Sequence, residues 1–201
     1  MTERRRTIRL PHYDYSSPGA YFVTICCQER RRIFDAPDAC RLVEEAWNRI
    51  ARHFPSAETD EFVVMPNHVH GIIWILGDGL TASQMLLRRR GVGAQHAAPL
   101  PRHGVRPFVH PGSLGAIVRS FKAAATRRIN EARGTPAGRV WQRNYYERVV
   151  RDERELQRVR EYIRLNPSKW HFDRENPLRV VDPHYERSWA WLEGAAAPVM
   201  P

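Results

Sequence analysis

Two histidines stand one residue apart in "MPNHVHGIIWI" (65–75), after a Pro-Asn turn and at the head of an apolar run. In an extended strand, residues i and i+2 share a face, so His68 and His70 project together while Val69 points the other way. Their Cα atoms are then roughly 7 Å apart by strand rise, close enough for both imidazoles to hold one metal ion. A histidine-triad nucleotide hydrolase would need a third histidine at the next position on that face, which is Ile72. A closed structural zinc site would need further N or S ligands, and Cys26, Cys27 and Cys40 form no Cys-x-x-Cys pair. An incomplete ligand set with open positions suits a catalytic ion that meets phosphate oxygens. The competing reading is structural, with one histidine in a sheet and the other in a turn, and a His-x-His spacing alone does not decide between them.

A second pair lies far along the chain. "DERELQRVREYIRLNP" (152–167) has a helical apolar stripe at Leu156, Val159 and Ile163. Tyr162 and Asn166 are spaced i, i+4 and share a helix face. A tyrosine there can attack phosphorus, and an asparagine amide oxygen can complete a metal site. Equally, Tyr162 can edge the buried stripe, and Asn166 can simply end the helix before Pro167.

These residues need elements to position them. "AYFVTICCQE" (20–29) is aromatic and β-branched and reads as a strand. "DACRLVEEAWNRIARHF" (38–54) has helical periodicity, with Asp38 as its expected N-cap. "TDEFVVM" (59–65) and "HVHGIIWIL" (68–76) read as strands paired in a hairpin through Pro66-Asn67. Residues 77–112 read as an irregular insertion. "SLGAIVRSFKAAATRRINEAR" (113–133) is an amphipathic helix. Residues 139–150 hold a fourth strand with its approach, and 152–167 a helix with a capping-box start at Asp152 and Glu155. The order β-α-β-β-α-β-α predicts an α+β, ferredoxin-like split β-α-β: a mostly antiparallel sheet with helices on one face and a late helix carrying Tyr162. One domain is expected over 1–170, with a basic arm at 1–18 and the insertion at 77–112. Residues 171–201 are an extension with no assigned role.

The 201-residue chain carries a net charge of +10, which points to a polyanionic partner, nucleic acid first. All but two of its 32 basic residues are arginines, a bias that a GC-rich genome also produces. No apolar run is long enough to span a membrane, and 1–19 lack the core of a secretory signal. Three cysteines, two of them adjacent, fit a reducing cytoplasm rather than a disulfide framework.

"VVMPNHVHGIIWI" together with "VWQRNYYERVVRDERELQRVREYIRLNP" resembles the REP-associated tyrosine transposases, relatives of the single-tyrosine HUH transposases, over roughly residues 18–170. The resemblance implies metal-binding histidines at His68 and His70, a nucleophile at Tyr162, and an amide ligand at Asn166. It implies cleavage and rejoining of single-stranded DNA beside hairpins of imperfect palindromes, through a 5′-phosphotyrosine and with Mg2+ or Mn2+. Imidazole ligands suit manganese better than magnesium. Phosphate contacts are expected from Arg30, Arg31, Arg32, Arg88, Arg89, Arg90, Arg119, Lys122 and Arg127. Trp141, Tyr145 and Tyr146 are candidates to stack on bases, although at least half of such aromatics belong in a core. The chain is expected to act as a monomer or homodimer. Two other readings stay open: a single-stranded nucleic-acid-binding module without chemistry, and a metal-dependent phosphoesterase without a covalent intermediate.

Overall fold

A computed structural model describes residues 13–77, 79–91 and 110–193. Expectations that fall on 1–12, 92–109 and 194–201 lie outside the described residues, as do the side chains of Arg88, Arg89 and Arg90.

Four strands, β1 (Gly19–Cys26), β2 (Ala57–Met65), β3 (His68–Ile75) and β4 (Tyr146–Val150), form one sheet in the order β2-β3-β1-β4. Every pairing is antiparallel. This is the ferredoxin-like order that the split β-α-β pattern predicts. The central strands β1 and β3 are buried at every position, whereas β2 at the edge is buried only at its ends.

Burial of both faces corrects one expectation, that the helices share a face. Helices α1 (Pro37–Asn48), followed by the short α2 (Ile50–His53), and α4 (Leu114–Arg133) cover the face that carries Tyr21, Val23, Ile25, Val69 and Ile73. Helix α5 (Glu153–Leu165) covers the opposite face, packing Leu156, Val159 and Ile163 on Ala20, Phe22, Ile72 and Trp74. Each of those aliphatic side chains contributes about 1.5–3 kcal/mol by leaving water. His68 and His70 project into this second layer, beneath α5.

Helix α5 is fastened at both ends. The Asp152 carboxylate accepts the Glu155 N–H at 2.8 Å. Glu155 in turn accepts the Arg151 N–H at 2.8 Å and pairs with Arg148 of β4 at 2.6 Å. At the other end Arg160 pairs with Asp60 at 2.6 Å and Arg164 with Glu61 at 3.0 Å. Both acids sit where the β2–β3 register shifts between Thr59 and Phe62.

Three local expectations change. Helix α1 starts with Pro37, so Ala36 occupies the cap position and Asp38 lies inside the first turn. Proline suits that first position because its missing N–H would have no partner there. The stretch expected to be irregular contains helix α3 (Ala82–Gly91). Its start is a reciprocal cap: the Thr81 N–H donates to Gln84 Oε1 at 2.8 Å, and the Gln84 N–H donates to Thr81 Oγ1 at 3.3 Å. After α5 the chain forms a 3₁₀ turn (Pro167–Phe172) and helix α6 (Pro183–Trp189), then buries Trp191 against the α5 layer. The Arg158 guanidinium lies 4.1 Å from the Trp191 ring centroid.

Gly71, between His70 and Ile72, has no room for a side chain unless a neighbour shifts. A Cβ there would stand 2.5 Å from the Trp47 ring, which stacks on Phe62 with centroids 4.3 Å apart.

A buried histidine pair, a carboxylate and a tyrosine

Strand register sets the pair. His70 lies opposite Thr24 and His68 opposite Cys26 on β1. Both imidazoles are buried, and their Nε2 atoms face each other at 2.9 Å. The Nδ1 atoms are held from behind. Asn67 Nδ2 donates to the carbonyls of Glu175 at 2.7 Å and Arg30 at 3.3 Å, which fixes the amide so that Oδ1 faces His68. His68 Nδ1–H therefore donates to Asn67 Oδ1 at 2.8 Å, leaving the Nε2 lone pair directed at His70. His70 Nδ1 meets Thr24 Oγ1 at 2.8 Å, and a hydroxyl that both donates and accepts suits either tautomer of that ring.

A carboxylate that the sequence did not single out completes the group. Asp173 follows the Pro167–Phe172 turn and is buried, with Oδ2 at 3.8 Å from His68 Nε2 and 3.9 Å from His70 Nε2. Its Oδ1 accepts the Glu175 N–H at 2.6 Å, whereas Oδ2 has no hydrogen-bond partner among the described residues. His68, His70 and Asp173 offer ligand atoms that all lie within 4.8 Å of one another. A buried carboxylate oxygen without a partner, facing two imidazole nitrogens, fits a divalent ion: the donors are mixed N and O, and the orphaned oxygen costs free energy unless something meets it.

Charge follows the geometry. Burial, with the neighbouring His70, pushes His68 down to about 3, so it is neutral and ready to ligate at ordinary pH. Burial works against ionisation of Asp173, but the two imidazoles outweigh it and hold the carboxyl below its usual range.

Tyr162 stands beside this group, its ring centroid 5.2 Å from that of His70 and 5.9 Å from Phe22. Burial pushes its phenol well above the ordinary value, and the charge of Asp173 adds to the shift. Trp189 of α6 covers it, with ring centroids 5.0 Å apart. The adjoining cavity, lined by His70, Tyr162, Asp173, Tyr146 and Tyr185, measures about 110 Å³. Asn166, one turn beyond Tyr162, is buried with both amide atoms unpaired among the described residues.

The expected phosphate-binding residues scatter. Arg30 pairs with the buried Glu175 at 2.8 Å, which tethers the segment that carries Asp173. Arg31 donates to the Arg139 carbonyl at 2.6 Å, and Arg32 pairs with Asp35 at 2.7 Å. Arg119, Lys122 and Arg127 lie on α4, across the sheet from the imidazoles. Lys122 donates to the carbonyls of Gln142 at 2.5 Å and Arg143 at 3.2 Å, and burial lowers its pKa to about 8. Arg88, Arg89 and Arg90 fall in α3. Of the aromatics, Trp141 is buried in the core and Tyr146 lines the cavity.

No family model matches the chain. An uncharacterized protein of Haemophilus influenzae is 38% identical over 177 residues, covering 84% of this chain and 91% of that protein. A second protein of the same organism, provisionally named a REP-associated tyrosine transposase, is 24% identical over 156 residues, covering 78% of this chain and 74% of its own length. Among solved structures, a REP-associated tyrosine transposase bound to a REP hairpin aligns with TM-score 0.49 and 19% identity, over 85% of this chain and 74% of that one. A provisionally named transposase of Deinococcus radiodurans aligns with TM-score 0.42 and 18% identity, over 82% and 96%. The resemblance to REP-associated tyrosine transposases read from two motifs thus extends along most of the chain. No helix among the described residues is long and apolar enough to cross a membrane.

Proposed function

We propose the following function for this chain, which belongs to the same family as the 38% identical Haemophilus influenzae protein: it cleaves and rejoins single-stranded DNA beside a hairpin, through a covalent tyrosine intermediate and with a divalent ion. The observation that carries the reading is the convergence of His68, His70 and Asp173 in one buried group with the Tyr162 ring beside it.

His68, His70 and Asp173 would hold the ion, with Asn166 offering a further amide oxygen. When bound, Mg2+ or Mn2+ supplies positive charge against the scissile phosphate. Asn67 and Thr24 keep the imidazoles turned toward that centre. Tyr162 is the nucleophile. Its phenolic oxygen bonds to phosphorus, the bond from phosphorus to the 3′-oxygen breaks, and the phenolic proton ends on that oxygen. The products are a 5′-phosphotyrosine and a free 3′-OH, and reversal rejoins the strand without an external energy source. A phenol pushed above its ordinary pKa needs a proton acceptor as it attacks.

The burial of Tyr162 favours a second reading, a metal-dependent phosphoesterase that uses water and leaves the tyrosine idle. One experiment separates the two. The protein is incubated with a labelled hairpin that bears a single-stranded flank, with Mn2+ or Mg2+, and resolved on a denaturing gel. The transposase reading expects a protein–DNA adduct that Tyr162→Phe abolishes while hairpin binding is retained. Cleavage without an adduct, or an adduct formed by Tyr162→Phe, would replace it.

A further inference from the structure

On the other layer of the sheet, a groove runs between α4 and residues 138–143, lined among others by Lys122, Arg127, Arg139, Gln142 and Arg143. None of its lining residues is an aspartate or glutamate. Arg139 and Arg143 are exposed, and no carboxylate among the described residues pairs with either. A concave surface lined by one sign of charge concentrates its potential on an anion.

The wall is fixed in place. Lys122 clamps the carbonyls of Gln142 and Arg143 onto α4. Asn130 Nδ2 donates to the Gly138 carbonyl at 2.9 Å, and the Gln28 N–H donates to the Val140 carbonyl at 2.8 Å. Lys122 is therefore a crossbar, with two of its three donors on backbone carbonyls, and the exposed arginines are the groups best placed to meet a ligand. The one tryptophan of the lining, Trp141, is turned into the core, its ring centroid 5.3 Å from that of Phe34 and tilted to it by 47°. The groove thus offers charge without an aromatic platform for unpaired bases, which favours the phosphates of paired DNA over a single strand.

The wall also leads to the site. Arg143 is followed three residues later by Tyr146, which lines the cavity of His70 and Tyr162. Three residues span at most about 10 Å. We propose that this groove docks the phosphates of a hairpin's duplex stem through Arg139 and Arg143, so that the foot of the stem reaches the buried site around the β4 edge. The inference rests on the reading of the chain as a DNA-processing enzyme and adds the place where the paired part sits.

The test uses the full chain, a fluorescent hairpin with an unpaired flank, and an unpaired oligonucleotide of the same length, with affinities read by anisotropy between 50 and 200 mM salt. Each lost duplex phosphate contact flattens the logarithmic salt slope by about 0.9, so removing two shrinks the loss of affinity over that range about 12-fold. Arg139→Ala with Arg143→Ala is expected to show this flattening on the hairpin, with affinity for the unpaired strand unchanged. The paired lysine replacements should restore the slope, and thermal melting checks that each variant is folded. An unchanged hairpin slope in the folded alanine variant overturns the groove while leaving the proposed function intact. Equal losses on hairpin and unpaired strand overturn its assignment to the stem. A wild-type chain that binds neither DNA overturns the function itself, and the groove with it.

Discussion

Asn67→Ala should weaken Mn2+ binding although Asn67 is no ligand. The wild-type amide does two jobs: its oxygen accepts His68 Nδ1–H at 2.8 Å, and its nitrogen donates to the Glu175 carbonyl at 2.7 Å, two residues from Asp173. Truncation leaves the buried Nδ1–H without its acceptor and the carbonyl without this donor. At about 1–3 kcal/mol for each orphaned buried group, partly relieved by relaxation, folding stability should fall by roughly 2–4 kcal/mol. The imidazole can escape its share of that cost by moving its proton to Nε2. That nitrogen then donates across the 2.9 Å gap to His70 Nε2, and an entering ion must drive the proton back to an Nδ1 that has lost its acceptor. Loss of a hydrogen-bond partner behind a metal-ligating histidine costs about 10–100-fold in affinity. Calorimetric titration with Mn2+ at neutral pH measures it, with a melt in chelator to verify folding. Asn67→Asp keeps the acceptor and should retain most of the affinity despite the lost donors. A folded Asn67→Ala variant with wild-type Mn2+ affinity would refute the tautomer argument.

Acid should destabilise the metal-free chain through His68: below its free pKa near 6.5 the unfolded chain takes up a proton that the folded chain refuses until about 3. Stability present above pH 6.5 therefore falls as pH drops, by about 1.4 kcal/mol per unit and about 2 kcal/mol by pH 5, and flat urea midpoints between pH 7 and 5 would contradict it. Gly71→Ala should cost about 1–3 kcal/mol, because the new methyl must displace the rigid Trp47 ring 2.5 Å away. Chemical denaturation measures that loss, and a neutral effect would show that the ring has room to shift.

The sequence carried the strand order because alternation, turns and helical stripes are local signals, and His68, His70 and Tyr162 sit on such elements. The placement of α5 was legible too, though not through a period. "GAYFVTIC" and "HVHGIIWI" are apolar on both faces, so one layer of helices could never have covered them. The start of α3 carried its own signature in Thr81 and Gln84, at the spacing of a capping box. Asp173 was not legible. It follows a 3₁₀ turn in a segment without hydrophobic period, and tethers of Glu175 to Arg30 and Asn67 bring it to the histidines from more than a hundred residues away. Such ties between distant polar groups leave no pattern in a window of neighbouring residues.

That separation along the chain has a consequence for synthesis. His68 and His70 lie just past a two-residue hairpin turn, so the imidazole pair can form as soon as β1, β2 and β3 have emerged. Tyr162 and Asp173 are about ninety to a hundred residues further on. At about 5–20 residues per second, the ribosome delivers them roughly 5–20 seconds later. The nascent chain therefore carries a two-nitrogen half-site before it has a nucleophile, and an ion captured at that stage would wait for the C-terminal segment to close over it.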